Sequence, residues 1–327
     1  MSLLLLEGVF RVLPFANHRA AQWTDRPSSY YIHAKSKSFQ DAPFLTEKPA
    51  NTYRIAVAGD SFTFAPFMQF DDSFPKRLER MLNLNGGDRR AEVLNFGVPG
   101  YSTSHEVGSI EQAISLKSDL LILQITLNDP QRKPYHPTGL TRQNEFGTYE
   151  PMGWLGKLGN YWHTLGFVLR RIHNTQTHER YRDYYFNLFQ DARSWESFTN
   201  SLEKIRALSE KSHTPLVAVV FPLFGIPLDR HYPFHPLHER VHSELKKLEI
   251  PFLDLYSAFE GIPLERIQVV PHVDFHPNEI GHRIAAEQIY RWLAQEDILP
   301  ENLRITQSFD LRTDIRLQDV GALPKIP

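Results

Sequence analysis

The 327-residue chain contains no cysteine, no excess of either charge and no long apolar run. The absence of cysteine excludes disulfide bonds, a thiol nucleophile and cysteine-ligated zinc, but it does not distinguish an exported protein from a cytoplasmic one. Thirty-six Lys and Arg side chains stand against 38 Asp and Glu side chains, which leaves a formal net charge of -2. Nucleic acid is therefore not an expected partner, because its binding requires a strongly basic surface.

The N-terminal stretch "MSLLLLEGVFRVLPF" is rich in leucine but is interrupted by Glu7 and Arg11. It is shorter than the roughly 20 apolar residues that span a membrane, and it lacks the basic flank and cleavage site of a signal peptide. Two interpretations stay open, an amphipathic helix that packs on the domain and the remnant of a membrane anchor. We predict an N-terminal segment over residues 1–52, which includes an extended lead-in from residue 16. The start of this segment either packs on the domain or associates with a membrane.

Short runs of Val, Ile and Leu alternate with helical patterns along the rest of the chain. The predicted strands are 54–59, 91–97, 119–126, 215–221 and 250–255, and the predicted helices are 74–84, 103–117, 194–211, 236–248 and 277–295. Apolar runs of this length are typical of buried parallel strands. Strands that alternate with helices predict a doubly wound α/β sheet with helices on both faces.

The stretch 130–193 differs from the rest because it is rich in Tyr, Trp, His and Arg and shows no strand pattern. We interpret it as an insertion after the third strand, with helices near 161–172 and 179–190. An excursion of this length is more often a lid or a substrate wall than an idle loop. Its aromatic side chains either stack on sugar rings or form the insertion's own core. The main domain then covers 53–296, and a C-terminal tail covers 297–327.

Polar residues and glycines stand where the predicted strands end. In an open parallel sheet these ends share one edge, and ligands bind there. The residues are Asp60 and Ser61, Gly97 and Gly100, Asn128 and Asp129, and, before the last helix, Asp274 and His276. A serine, a histidine beside a carboxylate and amide donors are the groups that serine-based acyl transfer needs. Taken alone, each of them is more often a turn or helix-capping residue.

The spacing of Asp274 and His276 favours a shared role. Residues two apart in an extended segment point to the same side, so both can face Ser61. His276 is then the candidate base for the Ser61 proton, and Asp274 is the candidate carboxylate that holds the imidazole. The backbone amides of Ser61 and Gly100 and the side chain of Asn128 are the candidate oxyanion donors.

Four blocks, "GDSFTFA", "NFGVPGYS", "TLND" and "DFHPNEIGH", resemble the SGNH (GDSL-type) hydrolases and occur in that family's order over about residues 53–295. The resemblance implies a flavodoxin-like three-layer α/β/α sandwich with about five parallel strands and no metal or other cofactor. It implies that Ser61 is the nucleophile, that His276 is the base and that Gly100 and Asn128 bind the oxyanion. It also implies an esterase, lipase or carbohydrate-deacetylase type of activity.

Three positions depart from the family pattern. The family's last block is Asp-x-x-His, but Val273 stands three residues before His276, so the acid is Asp274 or lies elsewhere. Thr126 replaces the glycine of Gly-x-Asn-Asp, and Ala65 replaces a common glycine after the serine. We expect these two replacements to reshape the pocket without removing a reacting group.

The segment "HERVH" at 238–242 matches the His-Glu-x-x-His pattern of zinc proteases. Its helix is charged on most faces, and nothing downstream clearly supplies a third ligand, so a solvated helix explains it better. Adventitious metal binding stays open because His231 and His235 lie just upstream.

The sequence thus favours a serine-dependent ester hydrolase that acts on a small-molecule or acylated-carbohydrate ester. An O-acetyltransferase of polysaccharide assembly and a non-catalytic polysaccharide-binding factor are the alternatives. The leucine-rich segment, with its Glu-x-x-x-Arg, resembles the stretch just after the membrane helix of anchored relatives, which favours an exported or membrane-anchored protein over a cytoplasmic one. The oligomeric state is open.

Overall fold

The computed structural model describes residues 7–9, 41, 44–84, 90–132, 141–143, 149–151, 153–270 and 274–304. Most of the predicted N-terminal lead-in and most of the C-terminal tail lie outside these residues. Among the described helices, none combines the length and the apolar character that a membrane crossing requires. The predicted exported or membrane-anchored location stays a prediction.

A parallel sheet of five strands forms the centre of the protein. The described residues form nine strands in all, which are, in chain order, β1 (Thr52–Gly59), β2 (Arg90–Gly97), β3 (Leu120–Ile125), β4 (Thr141–Gln143), β5 (Tyr149–Pro151), β6 (Leu216–Val220), β7 (Phe252–Asp254), β8 (Gln268–Val270) and β9 (Asp274–Pro277). Strands β4 and β5 form one separate pair, and β8 and β9 form another. The central sheet has the order β2-β1-β3-β6-β7, and its neighbouring strands are parallel. The predicted strands and the α/β fold class are confirmed.

Burial explains why these segments form the sheet. Every residue of β1, β3 and β6 is buried, whereas the edge strand β7 is only half-buried. Strands covered on both faces need apolar side chains on both sides, so they appear in the sequence as continuous rather than alternating apolar runs.

Helices flank the sheet and complete the three layers. They are α1 (Ser61–Phe64), α2 (Phe74–Leu82), α3 (Thr103–Ser115), α4 (Gly153–Tyr161), α5 (His163–Gln190), α6 (Ala192–Ser212), α7 (His235–Lys247), α8 (Tyr256–Phe259) and α9 (Glu279–Gln295). Helix α2 packs against α9, and α3 packs against α6.

The insertion differs from the prediction in three ways. Helix α4 covers Gly153–Tyr161, where no helix was predicted. A single helix, α5, runs through the gap predicted between 172 and 179, because the residues in that gap include neither glycine nor proline to end a helix. Strands β4 and β5 form a short antiparallel pair where no strand was expected. Three residues per strand are too few to produce a periodic signal.

The N-terminal segment contacts the insertion at Glu7, within a short helical stretch at 7–9. The Glu7 carboxylate accepts hydrogen bonds from the backbone N–H of His163 and of Thr164, both at 2.9 Å, and from the Thr164 hydroxyl at 2.8 Å. These donors lie at the N-terminus of α5, where a carboxylate satisfies unpaired amides and the helix dipole. Glu7 therefore attaches the N-terminal segment to the start of the insertion helix.

Candidate active site

Strand β1 leads directly into the candidate nucleophile. Asp60 is the N-cap of α1, and its Oδ1 accepts a 2.8 Å hydrogen bond from the Phe62 amide. Ser61 is the first residue of that helix and is half-buried. The capping role that the sequence left open thus belongs to Asp60, and the Ser61 hydroxyl is engaged elsewhere.

Strand β2 supports the helix that carries Ser61. Gly97 pairs with Gly59 across the two strands, and a Cβ on Gly97 would lie 2.2 Å from the Phe64 nitrogen. Only glycine therefore lets α1 lie against the end of β2. The buried Asn95 side chain donates to the Thr63 carbonyl at 2.9 Å and ties the same helix to β2. This role of Asn95 was not predicted, although the residue lies within the "NFGVPGYS" block.

The replacement at Ala65 has a local backbone consequence. Ala65 ends α1 with φ 60° and ψ 65°, and it is fully buried. A left-handed conformation costs about 1–2 kcal/mol for a residue with a Cβ. The common glycine at this position would avoid that cost, and Ala65 removes no polar group from the site.

His276 joins the serine to a carboxylate. His276 lies on β9, with its Nε2 2.9 Å from Ser61 Oγ and its Nδ1 2.7 Å from Asp274 Oδ1. The same Asp274 oxygen also accepts the His276 backbone N–H at 2.9 Å. Phe62 packs on the imidazole at a ring-centroid distance of 5.7 Å. The three predicted residues are therefore together, and the carboxylate two residues before the histidine is near enough to hold its ring.

The environment of His276 favours its protonated form. Burial lowers the pKa of the imidazole, but the charge and hydrogen bond of Asp274, together with the charge of Asp60, outweigh burial and raise the pKa above 6.5. A carboxylate beside an imidazole stabilises the imidazolium in this way. The ring is therefore suited to accept a proton.

Asn128 lies at the end of β3 and is held by Asp60. Its Nδ2 donates to Asp60 Oδ2 at 3.0 Å, and the Thr126 hydroxyl lies against the same oxygen at 2.9 Å and against Asn128 Oδ1. Asp60 is fully buried. Thr126, which stands where the family has glycine, thus adds a polar contact to both residues. Asp60 and Thr126 therefore fix the orientation of the Asn128 amide.

Two further carboxylates lie buried behind this loop, and the sequence analysis assigned neither of them this position. Asp129 accepts the Thr126 amide at 2.6 Å and the Thr103 hydroxyl at 3.0 Å, which fixes the turn that contains Asn128. Glu106 on α3 is fully buried, and its carboxyl oxygens have no hydrogen-bond partner among the described residues. Burial and the charges of Asp129 and Asp60 raise the pKa of Glu106 well above its usual value. This environment favours the protonated form of the Glu106 carboxyl group.

Gly100 lies in the turn that follows β2. Its φ of 80° belongs to the left-handed region, which glycine adopts without strain. The turn is closed by a 3.1 Å hydrogen bond from the Tyr101 amide to the Val98 carbonyl. Val98 in turn donates its amide to the Gly59 carbonyl at 3.1 Å, so the turn lies beside the end of β1.

The insertion helix packs on both loops of the site. Tyr181 of α5 lies 6.0 Å from the ring of Phe275, which separates Asp274 from His276 in sequence. The Tyr184 hydroxyl reaches Gln131, just after Asn128, at 3.4 Å. Both tyrosines are half-buried. Helix α5 therefore forms an aromatic wall beside the site.

The other insertion aromatics divide between core and surface. Tyr185 is buried against Phe234, which fits the interpretation of a core residue. Trp154 and Tyr161 are 71% and 80% exposed and lie at the surface.

Solved structures similar to the chain include an acetyl-xylooligosaccharide esterase from Geobacillus (13% identity, TM-score 0.46, 73% of this chain and 93% of that chain). Others are an α/β hydrolase from the Lake Arreo metagenome (15%, 0.47, 76% and 97%) and a two-domain esterase active on acetylated mannans (13%, 0.46, 76% and 50%). No curated protein sequence matches the chain significantly.

The profile of the GDSL-like Lipase/Acylhydrolase family matches residues 57–284, well over half of the chain. This range contains β2 to β9 and the end of β1, and with them the strand ends that carry the polar residues described above. The chain therefore belongs to the GDSL-like lipase/acylhydrolase family.

Proposed function

We propose that this hydrolase cleaves carboxylic esters through Ser61, with His276 as the base and Asp274 as the carboxylate that orients it. The observation that carries the proposal is the continuous contact from Asp274 Oδ1 to His276 Nδ1 at 2.7 Å and from His276 Nε2 to Ser61 Oγ at 2.9 Å. A nucleophile bonded to a base that is itself oriented by a third group is the arrangement that activates serine.

In the first half of the reaction, His276 Nε2 takes the Ser61 proton while Oγ attacks the acyl carbon. The resulting tetrahedral oxyanion accepts hydrogen bonds from the Ser61 and Gly100 amides and from Asn128. Asp60 takes one of the two amide hydrogens of Asn128, and we assign the other to the oxyanion. Imidazolium then returns the proton to the ester oxygen as the bond between acyl carbon and oxygen breaks, which releases the alcohol and leaves an acyl-serine.

In the second half, water replaces the alcohol. His276 takes a proton from water, the hydroxyl adds to the acyl carbon, and collapse of the intermediate returns the proton to Ser61 as the carboxylic acid leaves. Asp274 stays ionised throughout and stabilises the imidazolium of both steps.

We propose an acylated carbohydrate as the substrate class. Tyr181 and Tyr184 form a half-buried aromatic wall that contacts Phe275 next to His276 and Gln131 near Asn128. Aromatic faces that combine apolar area with a polar tip suit the mixed surface of a sugar ring. This part of the proposal is tested by the ratio of activity on an acetylated xylo- or manno-oligosaccharide to activity on an aryl acetate. Replacement of Tyr181 by Ala should lower that ratio, and an unchanged ratio would contradict the carbohydrate assignment.

A fluorophosphonate probe tests the serine mechanism directly. The wild-type protein and Ser104→Ala, which removes an exposed serine on α3, should both be labelled, and Ser61→Ala should not. Absence of labelling in folded wild-type protein would contradict the proposal and favour a non-catalytic binding factor. If the acetyl group were transferred to an oligosaccharide faster than to water, the protein would be a transferase that uses the same serine, and not a hydrolase.

A further inference from the structure

The "HERVH" segment forms a second histidine cluster, away from Ser61. His238 and His242 lie one turn apart on α7 and both face Asp254, the last residue of β7. His238 Nδ1 and His242 Nε2 each lie 2.7 Å from the same oxygen, Asp254 Oδ2. The third group that the sequence analysis did not find is therefore supplied by a neighbouring strand.

We propose that His238, His242 and Asp254 bind a divalent transition-metal ion of the zinc class. Their three ligand atoms, two imidazole nitrogens and one carboxylate oxygen, lie within 4.8 Å of one another. Two imidazoles with one carboxylate are a donor set that zinc accepts, with a fourth position left for water. Calcium and magnesium prefer oxygen ligands, so nitrogen donors select against them.

The surroundings of the three residues hold the ligand atoms in place. Asp254 Oδ1 accepts the Tyr256 amide at 2.8 Å, which leaves Oδ2 directed at the histidines. Glu239 Oε1 lies 3.7 Å from His242 Nδ1, the nitrogen that would carry the proton when Nε2 binds an ion. A carboxylate behind a ligating histidine orients the ring and increases its basicity. The Tyr256 amide thus holds the Asp254 carboxylate, and Glu239 is close enough to His242 to reach its Nδ1 after a small side-chain movement.

Burial and charge also suit an ion. The side chains of His238, His242 and Asp254 are 3%, 12% and 20% exposed, so the cluster is sheltered but reachable. The Asp254 carboxylate also supplies negative charge next to the position that a cation would take.

The ion would have a structural rather than a hydrolytic role. Glu239, the base of the zinc-protease pattern, is 75% exposed and lies beside His242 Nδ1, not beside the nitrogen that faces Asp254. Strands β1 and β7 are three positions apart in the sheet, which corresponds to about 14 Å at the usual strand spacing of about 4.8 Å. The ion would therefore fasten α7 to the edge strand and would not touch the ester.

Zinc titration of the protein without a histidine tag tests this inference. Calorimetry should show one ion per chain, and zinc should raise the melting temperature. His242→Ala and Asp254→Asn should each weaken zinc affinity by more than about 100-fold, because even an outer partner of a metal ligand is worth about 10- to 100-fold. His213→Asn is the matched control, since it removes an exposed histidine from a left-handed position that asparagine tolerates.

The result depends on which variants lose binding. Unchanged zinc affinity in both His242→Ala and Asp254→Asn, with melting curves that show folded protein, would overturn the inference and leave a purely hydrogen-bonded cluster. Equal loss in His213→Asn would also overturn it, because the binding would then be adventitious. Cobalt gives an independent readout, since strong visible absorption at one equivalent reports a tetrahedral site, and its absence in folded wild type would contradict one.

Discussion

Two histidine–aspartate clusters in the described part of the chain have closest contacts of the same length but differ in their connections. At the candidate active site, His276 contacts Asp274 at 2.7 Å through one ring nitrogen and Ser61 at 2.9 Å through the other. On the edge of the sheet, two histidines contact a single oxygen of Asp254, each at 2.7 Å.

The two clusters differ in the group that contacts the imidazole nitrogen not bonded to the aspartate. His276 joins a carboxylate to a hydroxyl, so a proton can move from the hydroxyl to the ring while the carboxylate stabilises the charge. His238 and His242 converge on one carboxylate, and no hydroxyl among the described residues bonds to their other nitrogens, so the cluster can bind a cation or hold two elements together. Residue type alone does not distinguish a catalytic cluster from a binding cluster. The partners of the two ring nitrogens distinguish them.

Among the substitutions that test this comparison, Ser61→Ala should have the largest effect, which is a loss of catalytic rate. Loss of the nucleophile should lower kcat for an aryl acetate by about 10⁶-fold, as loss of a serine nucleophile does in serine proteases. Stability should change little, because the half-buried hydroxyl is replaced by a hydrogen. Steady-state kinetics and thermal melting measure the two quantities. Retention of a tenth of the wild-type kcat would mean that another group is the nucleophile.

Asp274→Asn tests whether the carboxylate of the first cluster orients the histidine. We expect a loss of about 10⁴-fold in kcat, because the amide favours the wrong tautomer of His276. Since Asp274 raises the pKa of His276, the inflection of kcat/KM against pH should move to lower pH in this variant. A variant with undiminished turnover would place the acid elsewhere in the chain.

Asn128→Ala tests the proposed oxyanion donor. One donor is worth about 10²- to 10³-fold in kcat, and KM should change little because the bond forms in the transition state. Asp60→Asn would remove the charge that anchors the Asn128 amide and should produce part of the same loss. If Asn128→Ala raised KM alone, the side chain would bind the ground-state substrate instead.

The pH dependence of the wild-type enzyme gives a smaller effect. His276 must be neutral to act as a base, and its pKa is raised above 6.5. Activity should therefore rise with pH, about tenfold per unit below that pKa, and level off above it. Measurements of kcat/KM from pH 5 to 9 give the inflection. An inflection well below 6.5 would show that Asp274 does not stabilise the imidazolium.

Asp254→Asn should lower the free energy of unfolding, whereas Ser61→Ala should leave it nearly unchanged. Hydrogen bonds to a charged group are worth about 1.5–3 kcal/mol, and the substitution removes that charge. The folded pKa of Asp254 lies below its unfolded value, so this stabilisation is present above the unfolded pKa and is lost as pH falls through the folded one. Urea unfolding of metal-free protein should show the difference at pH 7 and little of it in strong acid. Equal stability at pH 7 would show that the cluster contributes nothing without an ion.

Glu106→Gln tests how a buried carboxyl group without a hydrogen-bond partner among the described residues affects stability. The pKa of Glu106 is raised, so the unfolded chain ionises first and wild-type stability falls as pH rises from the unfolded pKa towards the folded one. A neutral glutamine does not ionise, and it should make the protein more stable than wild type at pH 7 to 8. Urea unfolding as a function of pH measures this. A variant less stable than wild type at pH 7 would mean that Glu106 is ionised and paired.

The sequence alone determined the sheet and the residues at its active edge. Continuous apolar runs identify buried parallel strands, and parallel strands bring their carboxyl ends to one edge, so Ser61 and Asn128 were predictable as neighbours. Local spacing also predicted that Asp274 and His276 share one side of β9, where their contact is observed. It did not predict that α5 is continuous or that β4 pairs with β5, because weak helix formers and three-residue strands leave little periodic signal.

Tertiary structure decided the contacts between distant parts of the chain. The bond from Asn128 to Asp60, the buried position of Glu106 and the approach of Asp254 to the two histidines each join residues on different elements. No local pattern encodes them, because they depend on strand order and helix packing rather than on spacing in sequence. The same histidine and aspartate side chains therefore acquire their different chemistry only when the fold selects their third partner.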